Sequence, residues 1–376
     1  MFIYNIYLAS QSNIYYNLLN QFINLYGAYF MKKLTIKEIA KLAGVSATAV
    51  SFAINKKDGI SEETRKKVLG VIKRTNFIPS LNSRRLFFKK SYNISLAIKQ
   101  SSSPFSDLFY FEITKGVLGK SKEYGYNIVF TDILLEDGIV QVPEIVKQND
   151  TDGIIFFQDT EQSILNEIER LEIPYIIVDA HTSNSNFTYV NADSELSSYT
   201  ATKYLIGQGH KGIAFIGSSY IPDYYLQAFS GYKNAVQEIN MSIPPSWIQI
   251  NAIDEFSAYR CMENILKSTP IPSAVFCAGD IFAIGAIRCA KDLGFKIPHD
   301  ISFIGVDDIL LSRYIEPALT TIKIDKLQMG ILAVELLVKK INSENVESII
   351  VESDKIIERD SVRNMYSNLE SKKYKL

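Results

Sequence analysis

The sequence predicts an α/β protein: a small all-α headpiece with a helix-turn-helix, then a body of two Rossmann-like lobes built on parallel sheets. Three observations carry this. Charge is split along the chain: residues 31–90 hold 15 Lys+Arg against 4 Asp+Glu, and residues 91–376 hold 25 against 37. A small basic module ahead of a large acidic one is the pattern of a nucleic-acid-binding head on a body with another task, whereas a basic tail alone would have no specific partner. From Asn93 onward, short β-rich runs alternate with amphipathic stretches, which means parallel strands covered on both faces by helices. Finally, residues 35–54 read as helix, glycine turn and helix.

The first thirty residues, rich in Asn, Tyr, Ile, Leu and Phe, carry no charged side chain. Asn, Gln and Ser interrupt them too often for a membrane span, and no charged n-region marks a signal peptide. They read as a leader without a fold of its own, and "MKKLTIKEIA" from Met31 reads as the natural start.

Thr35 and Glu38 form a capping box, in which each side chain takes a free N–H at the helix start. Ile36, Ile39 and Ala40 then mark one apolar face. Gly44 ends that helix, where positive φ is needed. Ser46 caps the second helix, Val45 packs inward, and Val50 and Ile54 face the core. A third helix begins at Ser61, with Val68, Leu69 and Ile72 expected inside and Arg65, Lys66, Lys67 and Lys73 outside. In such a motif the second helix enters the DNA major groove by its N-terminus.

The run "LTIKEIAKLAGVSATAVSFAIN" followed by "ISEETRKKVLGVIKRTNFIPSLNSRRL" resembles the lactose-repressor/galactose-repressor family of bacterial transcription factors. Val45, Ser46, Val50, Ser51, Asn55, Ser61, Thr64, Arg65, Pro79, Arg84 and Leu86 match its headpiece pattern, while Ala49, Phe52, Ser80 and Ser83 depart from it. The resemblance implies that Ala47, Thr48 and Phe52 face bases and that Ser46, Ser51 and Asn55 face phosphates. It adds Thr35, Ser61, Arg65 and Ser83 to the DNA-facing set. It also implies a hinge helix over 80–88, in which Leu86 is either a minor-groove wedge or an ordinary linker residue. Ala, the Thr methyl and Phe can touch thymine methyls, and no guanine-reading Arg stands on the helix, so A·T-rich half-sites are expected. Two headpieces reading a near-palindrome imply a homodimer, with body helices around 107–124 and 281–293 at its interface.

In the body, "NISLAI", "NIVFTDI", "GIIFF", "PYIIVD", "GIAFIG", "SAVFCA" and "ISFIGVD" are strand candidates, and helices are expected over 108–124, 193–208, 225–240, 255–267, 281–293 and 326–341. About ten strands over this length make two lobes. "YLIGQGHKGIAFIG", "GFKIPHDISFIGVDD" and "PALTTIKI" are similar to segments of the same family, whose body is periplasmic-binding-protein-like. The resemblance places three lobe crossovers near 190–192, 322–326 and 352–354. The expected divisions are then a leader over 1–30, a DNA-binding domain over 31–78, and a hinge over 79–90. A first lobe follows over 91–190 plus 326–352, and a second over 192–322 plus 354–370.

Ligands of such folds bind at the carboxyl ends of the strands, here in a cleft between lobes. Asp179 and Asp307 end two strands and either receive ligand donors or cap loops. Phe109, Tyr110, Tyr224 and Tyr225 are effector-wall candidates that could equally be core. Sugar-responsive members of the family place Arg where Ala228 stands and often Asn where Gly279 stands, so the expected effector is not a typical sugar, and a chain without an effector also fits. The motif GQGHKG over 207–212 has dinucleotide-loop spacing but closes a helix and opens a strand, the reverse of what a pyrophosphate needs, so His210 reads as a turn residue.

Other functions fit less. A solute-binding protein for transport needs an export signal and no headpiece. An enzyme needs a nucleotide loop, nucleophile elbow or metal site, and none is visible. Cys261, Cys277 and Cys289 form no CxxC, and the histidines lack metal-ligand spacing, which fits reduced thiols in the cytoplasm. No cofactor and no membrane partner is expected.

Overall fold

The computed structural model describes residues 34–54, 58–75, 77, 90–98, 103, 105–132, 134–136, 139–181, 186–220 and 222–366. The leader, Asn55, Pro79, Ser83, Arg84 and Leu86 lie outside the described residues. The chain divides into two compact units, Met1–Lys90 and Ser91–Leu376.

In the first unit, α1 (Ile36–Ala43), α2 (Ala47–Ile54) and α3 (Glu62–Thr75) surround one small core. The capping box is formed: the Glu38 N–H donates to Thr35 Oγ1 at 3.3 Å, and the Thr35 N–H donates to Glu38 Oε2 at 2.7 Å. Gly44 takes φ 64°, and the Ala49 N–H donates to Ser46 Oγ at 3.1 Å. Ile39, Val50 and Val68 are fully buried, contributing ~1.5–3 kcal/mol each. That burial, rather than intrinsic helix propensity, holds helices of eight residues together. One expectation fails in α3: Leu69 is 45% exposed, and Val71 is buried instead. Val68, Val71 and Ile72 span about 100° of the helix circumference, as Val68, Leu69 and Ile72 also would, so packing against the other two helices decides which face is buried.

The second unit contains two six-stranded sheets. The first runs in the order β13-β7-β6-β5-β1-β2 and the second in the order β14-β12-β11-β10-β8-β9. Their strands are β1 (Asn93–Ala97), β2 (Asn127–Thr131), β5 (Gly153–Phe157), β6 (Tyr175–Val178), β7 (Tyr189–Ala192), β8 (Ile213–Ile216), β9 (Ile248–Gln249), β10 (Ala274–Cys277), β11 (Ser302–Asp307), β12 (Thr320–Lys323), β13 (Ile349–Val351) and β14 (Lys355–Ile357). All pairs are parallel except β12 with β14. A separate antiparallel hairpin joins β3 (Leu134–Glu136) to β4 (Ile139–Gln141). Strands beyond the seven quoted candidates are two to four residues long.

The helices of this unit are α4 (Leu108–Glu123), α5 (Glu144–Lys147), α6 (Gln162–Arg170), α7 (Ser194–Gly207), α8 (Pro222–Gln237), α9 (Glu255–Leu266), α10 (Asp280–Asp292) and α11 (Lys326–Ile341). Three pairs pack closely: α4 with α11, α7 with α8, and α9 with α10. Each pair meets at a glycine. A Cβ on Gly330, Gly231 or Gly285 would stand 2.1 Å from a main-chain oxygen of the partner helix, Ile113 O, Glu195 O or Glu255 O respectively.

The chain passes from the first sheet to the second between β7 and α7. It returns between β12 and α11, and crosses again between β13 and β14. The GQGHKG segment follows α7 and precedes β8. Its Gly209 has φ 91° and lies against Met365 and Tyr366. His210 bridges Ser273 Oγ at 3.0 Å and the Arg363 carbonyl at 3.2 Å. Burial lowers its pKa to about 4, so the ring is a neutral brace for the C-terminal segment.

Candidate functional site

On the headpiece, Ser46, Ala47 and Thr48 at the start of α2 are exposed, as are Thr35 and Ser61. Phe52 is half-buried, its ring lying across Gly59, where an added Cβ would approach to 2.9 Å. Two members of the expected DNA-facing set sit elsewhere. Ser51 is buried. The Arg65 side chain is only 15% exposed, and it donates to the Phe52 carbonyl at 3.2 Å and to Glu62 at 3.2 Å. It braces α3 against the end of α2, a role that helical spacing alone does not signal.

In the second unit, Asp107 caps α4 by accepting the Phe109 N–H at 2.8 Å. This sets Phe109 and Tyr110 at the helix start, with their rings edge to face at 5.2 Å. The Tyr110 hydroxyl donates to Asp179 Oδ2 at 2.5 Å, and His181 Nε2 lies 3.3 Å from Asp179 Oδ1. The His181 N–H donates to the Asp159 carboxylate at 3.1 Å. From the second lobe, the Tyr224 ring stands 4.9 Å from the His181 ring, and Gln227 Nε2 donates to the His181 carbonyl at 3.4 Å. Tyr224 is itself fixed by donating to the Ala278 carbonyl at 2.5 Å.

Asp307 ends β11 with φ 115°, and Asp308 follows with φ 50°. Two successive non-glycine residues in this region cost about 1–3 kcal/mol each, and such strain persists only where the surroundings enforce it. Here Lys326 donates to the Asp307 carbonyl and Arg359 pairs with the Asp308 carboxylate. The Asp307 carboxylate has no hydrogen bond or ion pair among the described residues. Burial drives its pKa well above the ordinary carboxylate range, with Asp280 adding repulsion and Lys326 opposing. Asp107 and Asp179 add to the repulsion. Tyr225 belongs to a different cluster: it stacks on Phe229 at 5.5 Å beside Phe215.

Sequence reasoning missed His181. Its one available signal was its place two residues after Asp179. Burial lowers the His181 pKa, but the charge of Asp179 and its hydrogen bond, with Asp159 and Asp223 behind them, raise it overall above 6.5. Burial likewise raises the Asp179 pKa, and His181 and Tyr110 outweigh it, so that its net value falls below 3.8. A raised histidine stabilises the fold fully below its unfolded pKa and loses this as pH rises through its folded value. A lowered aspartate stabilises above its unfolded pKa. The pair is therefore strongest between 3.8 and 6.5. His181→Gln should melt lower than wild type at pH 6, and the gap should close as pH rises to about 9. A gap in melting temperature that is constant with pH would count against the ion pair.

Asp280, next to Gly279, is fully buried. It accepts from the Ile309 N–H at 3.0 Å, Ser312 Oγ at 2.6 Å and Thr321 Oγ1 at 2.5 Å. Ala228, at the position of the family's sugar-binding Arg, is core at 1% exposure. Gly231 and Tyr232 after it serve packing, and the Tyr232 hydroxyl donates to the Ile213 carbonyl at 2.7 Å. Among the described residues no group of His, Cys, Asp and Glu could hold a metal ion, and no helix is long and apolar enough to cross a membrane.

A three-helix head with an exposed second-helix N-terminus, joined to a two-sheet body, defines a DNA-binding regulator with an effector domain. Residues 35–80 match the bacterial regulatory proteins of the lacI family, and residues 202–362 match the periplasmic binding protein-like domain. The chain is 33% identical over 335 residues to the HTH-type transcriptional repressor PurR of Histophilus somni (strain 129Pt), covering 88% of this chain and 99% of the relative. It is 32% identical to the PurR repressor of Pasteurella multocida (strain Pm70) over 336 residues, 88% and 99% of the two chains. The chain belongs to the lacI family and is a DNA-binding transcriptional regulator. Solved structures share the fold. The lac repressor dimer bound to operator and the anti-inducer ONPF superposes with a TM-score of 0.69 at 20% identity, covering 88% of this chain and all of that one. The CelR–cellobiose complex gives 0.63 at 24% identity with the same coverage.

Proposed function

We propose that the protein is a cytoplasmic repressor that binds a near-palindromic operator as a homodimer, with A·T-rich half-sites, and that a small molecule other than a typical sugar sets its operator affinity. The observation that carries this reading is the exposed α2 start. Ser46, Ala47 and Thr48 present small apolar and hydroxyl groups and no guanidinium, a surface suited to thymine methyls and phosphates rather than guanine edges. Thr35, Phe52, Asn55, Ser61 and Ser83 complete the proposed contact set, and Leu86 is its minor-groove wedge. Ser51 and Arg65 contribute by holding α2 in place.

The effector site is the cleft of Phe109, Tyr110, Asp179 and Asp307, between a first lobe over 91–190 plus 326–352 and a second over 192–322 plus 354–370. Asp307 has an acceptor to offer, and the Arg fork that grips sugar hydroxyls has no counterpart at Ala228. The sign of the response follows from which lobe arrangement the molecule favours. Dimer contacts are assigned to the body helices around 107–124 and 281–293; on α4, Phe111 is 44% and Leu118 46% exposed on one stripe.

An electrophoretic shift with DNA from upstream of the protein's own gene tests this. Binding should survive competitor DNA and weaken by roughly 0.9 log unit per log unit of salt for each phosphate neutralised. Replacing A·T by G·C at contacted positions should cost about 1–3 kcal/mol per base pair, and deleting one half-site should abolish the specific complex. Binding indifferent to these changes would sink the assignment.

A further inference from the structure

We propose that Lys326 is a positioning residue that ties Asp307, on the second lobe, to α4 of the first lobe, so that the placement of this carboxylate and the arrangement of the lobes change together. The proposal rests on reading the cleft as the effector site.

Lys326 is the first residue of α11, directly after the return crossover, and is only 2% exposed. An ammonium has three donors and no acceptor, and in the interior it must find partners for all of them. Its Nζ donates to the Asp307 carbonyl and lies 3.4 Å from the carbonyls of Asp308 and Ile324. It also stands 3.7 Å from Glu112 Oε2 and 5.9 Å from the centre of the Phe109 ring. The carbonyls of Asp307 and Asp308 belong to the end of β11. Glu112 and Phe109 belong to α4, which packs on α11 beside the first sheet. One buried charge is therefore shared between the two lobes at their crossover.

The strained turn gives this contact leverage. The left-handed backbone at Asp307 and Asp308 turns both carbonyls toward Nζ. Asp308 is anchored separately through Arg359 and through Arg313 at 3.5 Å. Asp307 has no such anchor on its side chain, so its backbone alone sets its direction. Moving α4 away withdraws Glu112 from the ammonium, the one carboxylate within ion-pair distance of it among the described residues. The charge must then be rebalanced on the Asp307 and Asp308 carbonyls. A ligand that engages Asp307 acts on the same contacts from the other end.

The test is a distance measurement on the full chain without any effector, so an error in the effector reading leaves its outcome intact. Cys261, Cys277 and Cys289 are buried, which allows spin labels on cysteines introduced at exposed Lys147 and Lys267, one on each lobe. With the labelled protein diluted into an excess of unlabelled chain, so that only distances within one protomer are read, the wild-type background should give one narrow distance distribution. Lys326→Met should broaden it or shift its mean by about 2 Å or more, and Glu112→Gln should do the same to a smaller degree. Distributions unchanged in both variants, even with lowered thermal stability, would overturn the proposal. If Lys326→Met does not fold, Glu112→Gln decides alone: a changed distribution supports the tie and an unchanged one overturns it.

Discussion

Gly330→Ala is expected to destabilise the body by about 3–5 kcal/mol, at the upper end of single-residue effects. The added Cβ would stand 2.1 Å from Ile113 O and 2.8 Å from the Val117 nitrogen, both main-chain atoms of α4. No rotamer change relieves a clash with backbone, so the helices must separate by roughly the 1 Å needed to restore contact distance, and close-packed interiors resist this. Gly116 faces the same crossing from α4, and its Cβ would stand 2.2 Å from Leu327 O. Gly116→Ala should therefore cost nearly as much, and the double variant less than the sum, because one separation serves both. Gly70→Ala is the control, since nothing lies within 4 Å of its Cβ, and alanine favours a helix interior. Urea denaturation of the four variants measures this. A Gly330→Ala loss under about 1 kcal/mol would show that the crossing is looser than described.

Asp280→Ala should cost about 3–5 kcal/mol, because it leaves three buried donors without an acceptor. Its oxygens join the start of α10 to the Ile309 N–H, Ser312 and Thr321, and the Gly305 backbone closes over them. Asp280→Asn should cost less, about 1–2 kcal/mol, because its carbonyl still accepts and hydroxyls can reverse their roles. Burial raises the Asp280 pKa to about 6, against the hydrogen bonds that lower it. With the folded value above the unfolded 3.8, the native state binds the proton more tightly, so this group's contribution falls as pH rises from about 4 to 6. Asp280→Asn should flatten that part of the stability profile. Denaturant midpoints from pH 4 to 8 for wild type and variant provide the check, and parallel profiles would count against the assignment.

The elements that were legible in the sequence are those whose signal is local. Thr35 with Glu38, Gly44 and Ser46 declared the first helical pair because caps and turns are built from adjacent residues. The long apolar runs declared the central strands of both sheets. Leu69 was misplaced because a three-residue stripe at 68, 69 and 72 fits helical spacing about as well as 68, 71 and 72, and only packing decides. At the candidate site, Asp179 and Asp307 could be found from strand ends. Their surroundings could not. His181, Lys326 and Asp280 take their roles from partners distant in the chain, such as Tyr224, Glu112 and Thr321, and a single sequence holds no record of those meetings. Tyr225, whose position suggested a ligand wall or core, packs partly buried beside Phe215 and Phe229.

The interleaved order of the strands has a consequence for synthesis. Everything the second sheet needs except β14 lies in one stretch, from β8 at Ile213 to β12 at Lys323. The first sheet begins at Asn93 but lacks β13 and its covering helix α11 until Val351 has emerged. On a ribosome, where segments generally fold as they appear, the lobe that starts first cannot be completed until most of the other has been made. Its apolar face waits uncovered while more than a hundred residues of the other lobe are made, and that interval is when the nascent chain most needs protection.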